Sequence, residues 1–169
     1  MSEFSESFHL LSTDQQDGIA LLKRSSLHGF VFPAANNWVT VLPEQFSFEA
    51  DDPLIQANSG ILLHYVHAED HGWSIRIYNK NTLAFHFEVQ YEEDMEGEQD
   101  LDLTELLSVI NLDTDSYESL DGQLLEDPAP EEIAELVGLV NYDWISYSYV
   151  QNEKEQFPDQ FKLKGIQEI

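Results

Sequence analysis

A chain of 169 residues that is 42% hydrophobic and 12% aromatic can bury a sizeable core, which argues against global disorder, and no apolar run approaches the roughly 18 residues of a membrane span. Its 33 acidic and 7 basic residues give a formal charge of −26, which argues against nucleic acid and anionic lipid as partners. Without cysteine there is no disulfide, thiolate metal site or cysteine nucleophile.

The N-terminal MSEFSESFHLL carries acidic residues where a signal peptide needs positive charge, so a cytoplasmic location is expected. Residues 1–11 are read as an entry segment of little structure. A helix is predicted over 12–26. Ser12 or Thr13 serves as its N-cap, Asp14 and Asp17 suit its positive end, and Lys23 and Arg24 its negative end. Ile19, Leu21 and Leu22 form its apolar side, and Gly29 is placed to terminate it or the turn after it. Two short extended segments follow, Gly29 to Pro33 and Asn37 to Leu42, with Pro43 at a strand end or edge. Glu44 to Ser59 is polar and reads as a connection with a turn at Asp51, Asp52 and Pro53.

The clearest pattern lies in residues 61–91, where ILLHYVHA, WSIRIYN and LAFHFEVQY are each rich in β-branched and aromatic residues and are separated by EDHG and KNT. A three-stranded antiparallel meander is predicted. If Glu69 to Gly72 close the first hairpin, Leu62, His64 and Val66 share an apolar face with Trp73, Ile75 and Ile77. A three-residue loop at Lys80, Asn81 and Thr82 then adds Phe85, Phe87 and Val89 to that face. The other face carries Tyr65, His67, Ser74, Arg76, Tyr78, His86 and Glu88. It is either a ligand site, with Arg76 as bidentate donor, or a solvated face on which Arg76 pairs with Glu88.

EEDMEGEQD, residues 92–100, is read as an acidic loop or linker. Beyond it the period changes. Leu103, Leu106, Leu107 and Ile110 predict a helix over 102–111, and Ile133, Leu136, Val137 and Val140, opened by Pro130, predict another over 130–141. The aspartates between them fit no calcium-loop register. DWISYSYV, 143–150, returns to strand alternation, and the tail to Ile169 is expected to dock through Phe157, Phe161, Leu163 and Ile166.

The fold class expected is α+β, an antiparallel sheet built on the meander with helices packed against it. It forms a single domain over 1–169, or is divided at the acidic loop into a sheet-rich half, 1–91, and an acidic helical half, 101–169. No metal, cofactor or catalytic residue is assigned. His67 and His71 stand four apart, but in a strand and turn rather than on a helix, and no glycine-flanked serine marks a nucleophile. Charge is the sharpest feature. From Asn81 to Glu153 there is no Lys or Arg, while twenty acidic residues fall in that window.

Three readings of function follow. One is a non-enzymatic binding or inhibitor protein, of immunity or nucleic-acid-mimic type by analogy of charge, that covers a basic surface of a partner protein with Glu92, Glu93, Asp94, Glu96 and Glu98. The second is a ligand-binding protein or enzyme using Arg76, His67, His86, Tyr65 and Glu88. The third is that the acidity serves solubility only.

Overall fold

The computed structural model describes residues 4–47, 49, 51–91, 100–110, 124–126 and 128–169. Strands β1 (Phe4–Leu11), β2 (Gly29–Val31), β3 (Trp38–Pro43), β4 (Ile61–Ala68), β5 (Gly72–Asn79) and β6 (Thr82–Gln90) precede two short strands, β7 (Asp100–Asp102) and β8 (Leu124–Glu126), and a terminal β9 (Gln167–Glu168). The helices are α1 (Gln15–Ser25), α2 (Pro53–Ala57), α3 (Leu103–Ile110), α4 (Pro130–Leu136), α5 (Tyr147–Gln156) and α6 (Pro158–Leu163). Seven strands form one antiparallel sheet in the order β6-β5-β4-β1-β3-β2-β9, and β7 pairs with β8 apart from it. The fold is α+β, with the meander as one wing of the sheet.

The segment expected to lack structure is the central strand. β1 pairs with β4 on one side and with β3 on the other. Its even positions Phe8 and Leu10 face α1, and its odd positions Ser5, Ser7 and His9 face the opposite layer, where all three are buried. A strand whose second buried face is polar shows only a weak hydrophobic signal in sequence.

The meander forms as predicted, but its first register differs. Ala68 pairs with Gly72, not with Trp73, so Trp73, Ile75 and Ile77 stand opposite His67, Tyr65 and Leu63. The one-residue slip transfers Leu62, His64 and Val66 to the other face. The cause is Gly72, which belongs to the strand. Its φ is +130°, and a Cβ there would lie 1.9 Å from the Val89 carbonyl oxygen, so glycine is required by a close backbone approach rather than by a turn. The second parity was predicted correctly for a different reason. The loop has two residues, Lys80 and Asn81, and Ala84 is bulged between the pairs Tyr78–Leu83 and Ile77–Phe85. Phe85, Phe87 and Val89 therefore share a face with Ile75 and Ile77.

Each face of the sheet has its own core. α1 and α2 cover β1, β3 and β4 through Ile19, Leu21, Leu22, Leu54 and Ile55, packed on Phe8, Val39, Val41 and Leu62. On the other face, Leu106 and Ile110 of α3 and Ile133 and Ala134 of α4 pack on Leu63, Tyr65, Trp73, Ile75 and Ile77. This cluster joins residues from both sides of the acidic stretch. α5 and α6 cover β2 and β3 through Val150 and Phe161 on Phe30 and Leu42.

Helix α1 starts on Asp14, whose carboxylate accepts from Gln16 N at 2.9 Å, rather than on Ser12 or Thr13. It ends on Ser26 in the left-handed region, leaving Gly29 to open β2. The turn expected at Asp52 and Pro53 opens α2, with Asp52 as N-cap to Leu54 N at 2.8 Å. Helix α4 is shorter than predicted because Gly138, at φ +85°, closes it: Leu139 N donates to Ala134 O and Gly138 N to Glu135 O. Trp38 Nε1 donates to Val137 O at 2.8 Å and anchors that end to the sheet. DWISYSYV is not a strand. Trp144 at φ +48° interrupts the extended run, and Ser146 Oγ accepts from Tyr149 N, capping α5. In the tail, Phe161 and Ile166 dock as predicted, whereas Leu163 and Phe157 face solvent.

Candidate functional site

The five residues proposed for a ligand site on the meander do not share a face. Arg76, His86 and Glu88 lie together, with Arg76 directly opposite His86 in the ladder. Glu88 Oε2 stands 3.4 Å from His86 Nε2 and 4.0 Å from Arg76 Nη2, so the carboxylate is offered to both. Tyr65 and His67 project to the opposite face, where Tyr65 is buried beside Tyr142 and His67 Nδ1 lies 3.6 Å from Glu131 on α4. The face flip that moved them away brought His64 toward Arg76. His64 is wholly buried, stacked on Phe8 at 4.2 Å and 3.5 Å from Glu6 Oε1. Burial pushes its pKa down against the opposing pull of Glu6.

Glu92, Glu93, Asp94, Glu96 and Glu98 lie outside the described residues, as do the aspartates weighed for calcium. Among the described residues, no group of three or more acidic or histidine side chains is arranged to hold a metal ion, and no helix is long and apolar enough to cross a membrane. The α3–α4 layer carries Asp102, Glu105, Glu132 and Glu135 on its exposed positions and no cation. Two of the tail lysines are engaged at close range by carboxylates, Lys154 by Glu168 and Lys164 by Glu153. Lys23 and Arg24 stand on α1, across the sheet from α3 and α4.

Sequence reasoning missed a buried polar row on β1. Ser7 Oγ lies 2.8 Å from His9 Nε2, and Thr40 Oγ1 lies 3.1 Å from His9 Nδ1, so each ring nitrogen has a hydroxyl partner. Burial, with a smaller contribution from the His64 charge, pushes His9 down to about 3, and the imidazole is neutral. A serine beside a histidine resembles the start of a nucleophilic dyad. Here all three groups are sealed from solvent, and a hydroxyl rather than a carboxylate meets the second nitrogen. The row is a hydrogen-bonded seam. Its signal in sequence was the alternation of Ser5, Ser7 and His9 with Phe4, Glu6 and Phe8.

The seam ends at a split in the sheet. β1 pairs with β3 only from Phe8 onward, so Phe4 to Ser7 are paired on the β4 side while the chain beyond β3 departs through Glu44 and Phe46. The approach to α5 fills part of the gap: Glu6 N donates to Ile145 O at 2.8 Å, and Ile145 N to Ser5 Oγ at 3.3 Å. What remains is a cleft of about 460 Å³ walled by Phe4, Phe46, Tyr147 and Tyr149, with the carboxylates of Glu6 and Glu44 and no basic residue in its lining. Burial, and then the charge of Glu44, raise the pKa of Tyr147, so that carboxylate is felt inside the cleft. Trp144 is half exposed beside Tyr149, with ring centroids 6.4 Å apart.

The chain matches no protein-family model, no curated protein and no solved structure. The candidate site therefore rests on its own geometry. Its aromatic walls and two carboxylates suit a cation, and the outer surface of the α3–α4 layer has the same sign.

Proposed function

We propose that this protein is a non-enzymatic binding or inhibitor protein whose acidic side covers a basic surface of a partner protein. The observation that supports the reading is the segregation of charge: the α3–α4 layer presents carboxylates without a cation, and the flanking stretch Glu92 to Glu98 adds five more in sequence. Solubility requires net charge but does not require basic residues to be absent from Asn81 to Glu153. A surface of one sign steers an oppositely charged partner and speeds its encounter, and repels nucleic acid and anionic membranes.

The test is retention of a basic protein from host extract in moderate salt, followed by association rates at two ionic strengths. Replacing Glu92, Glu93, Asp94, Glu96 and Glu98 by Gln or Asn, and separately Glu132 and Glu135 by Gln, should slow association and flatten its salt dependence. Unchanged rates in both variants, with the native circular dichroism spectrum, would refute the reading. Recovery of no basic partner would leave solubility as the role of the charge.

A ligand site around Arg76 has weaker support. Glu88 lies near both Arg76 and His86, and Tyr65 and His67 are on the far side of the sheet.

A further inference from the structure

We infer that the cleft at the split end of the sheet is a pocket for an arginine side chain of the basic partner protein. The inference rests on the binding reading above and adds the place and chemistry of its anchor.

Three features select this occupant. The lining combines ring walls from Phe4, Phe46, Tyr147 and Tyr149 with two carboxylates and no basic residue, which suits a cation rather than a neutral or anionic occupant. A guanidinium is planar, stacks on aromatic faces and presents a fork of donors to carboxylates, whereas an ammonium is a strongly hydrated point charge. The volume of about 460 Å³ falls in the range of ligand pockets, about 300–1,000 Å³, and one long side chain with its backbone suits it.

The surroundings agree with an interface. Half-exposed Phe4 and Trp144 flank the cleft, and aromatic anchors around a desolvated pocket are the usual centre of binding energy. Between the cleft residues Phe4 and Glu6, Ser5 pairs with His67, which meets Glu131 on α4. Lys154 is the cation that acts on Tyr147, and Glu168 holds it. The pocket would fix the register of a partner that the wider acidic field merely attracts.

The experiment uses the full chain and three blocked tripeptides, glycine flanking arginine, lysine or citrulline, the last being the uncharged near-isostere of arginine. Aromatic resonances of Tyr147, Tyr149 and Trp144 are followed by NMR. The arginine peptide should give saturable shifts at these rings, with the citrulline and lysine peptides each weaker by about tenfold or more. Glu44→Gln alone, and Glu6→Gln with Glu44→Gln, should weaken arginine binding by a similar factor. Citrulline equal to arginine, lysine equal to arginine, or binding unchanged in Glu44→Gln would each overturn the pocket. Because Glu44 is exposed at a loop, that variant reports on binding even where the double variant fails to fold. A basic partner whose affinity is unaffected by Glu44→Gln and the double variant would overturn the pocket and leave the acidic surface standing. An arginine response without any basic partner in the host would do the reverse.

Discussion

His9 ties the residue scale to a pH dependence. Unfolded, it takes a proton near its ordinary pKa of 6.5; folded, burial holds it neutral down to about 3. Between those values the unfolded chain binds more protons, so the stability His9 contributes is complete above about 6.5 and is lost progressively as pH falls toward 3. His64 is shifted in the same direction. Other groups of the chain also change with pH, so the comparison must isolate the histidine. His9→Asn should be less stable than the native chain at pH near 7.5. Between there and pH near 5.5 it should lose less stability than the native chain, by roughly 1–2 kcal/mol. Denaturant midpoints at the two pH values give the answer, and equal losses would show that His9 does not resist protonation in the fold.

At the scale of elements, local signals succeeded where one face of a segment is apolar and the other solvated. The stripe of Leu106, Leu107 and Ile110 and the apolar side and end charges of α1 are of this kind. They failed where the same alternation serves two structures. Ile145, Tyr147 and Tyr149 alternate as a strand would, yet Ser146 turns the chain into α5 one residue later, and Ile145 O accepts from Glu6 N of β1. Ser146→Ala should therefore destabilise the protein by about 1 kcal/mol in a denaturant titration, the loss of a cap. A change below about 0.5 kcal/mol, as for an ordinary surface substitution, would contradict the capped helix start.

For the whole molecule the dominant quantity is the charge of −26. Self-repulsion among exposed carboxylates opposes compactness, and the ion pairs of Lys154 and Lys164 offset little of it because they are near the surface. Raising salt from about 0.01 M to about 1 M shortens the screening length from about 30 Å to about 3 Å. The thermal midpoint should then rise by on the order of a few degrees. A fall instead would mean that attractive pairs outweigh repulsion in the folded state. The same salt that stabilises the fold should weaken the partner complex, so the two dependences have opposite sign and can be told apart.

The sequence by itself determined the α+β class, the three strands of the meander, helices α1 and α3, the start of α4 and the segregation of charge. These follow from local periodicity, caps and composition, each carried by neighbouring residues. The tertiary structure decided the rest. That β1 is central depends on a buried polar face that Thr40, Ile145 and its own Ser7 and His9 help to satisfy. Which side Tyr65, His67 and His64 occupy depends on Gly72 meeting the Val89 carbonyl of the adjacent strand β6. The cleft requires β1, the exit of β3 and the entry of α5 to converge, bringing Glu6, Glu44 and Tyr147 together across more than a hundred residues of chain. No local pattern encodes such a meeting, because the free energy that holds it comes from contacts distant in sequence.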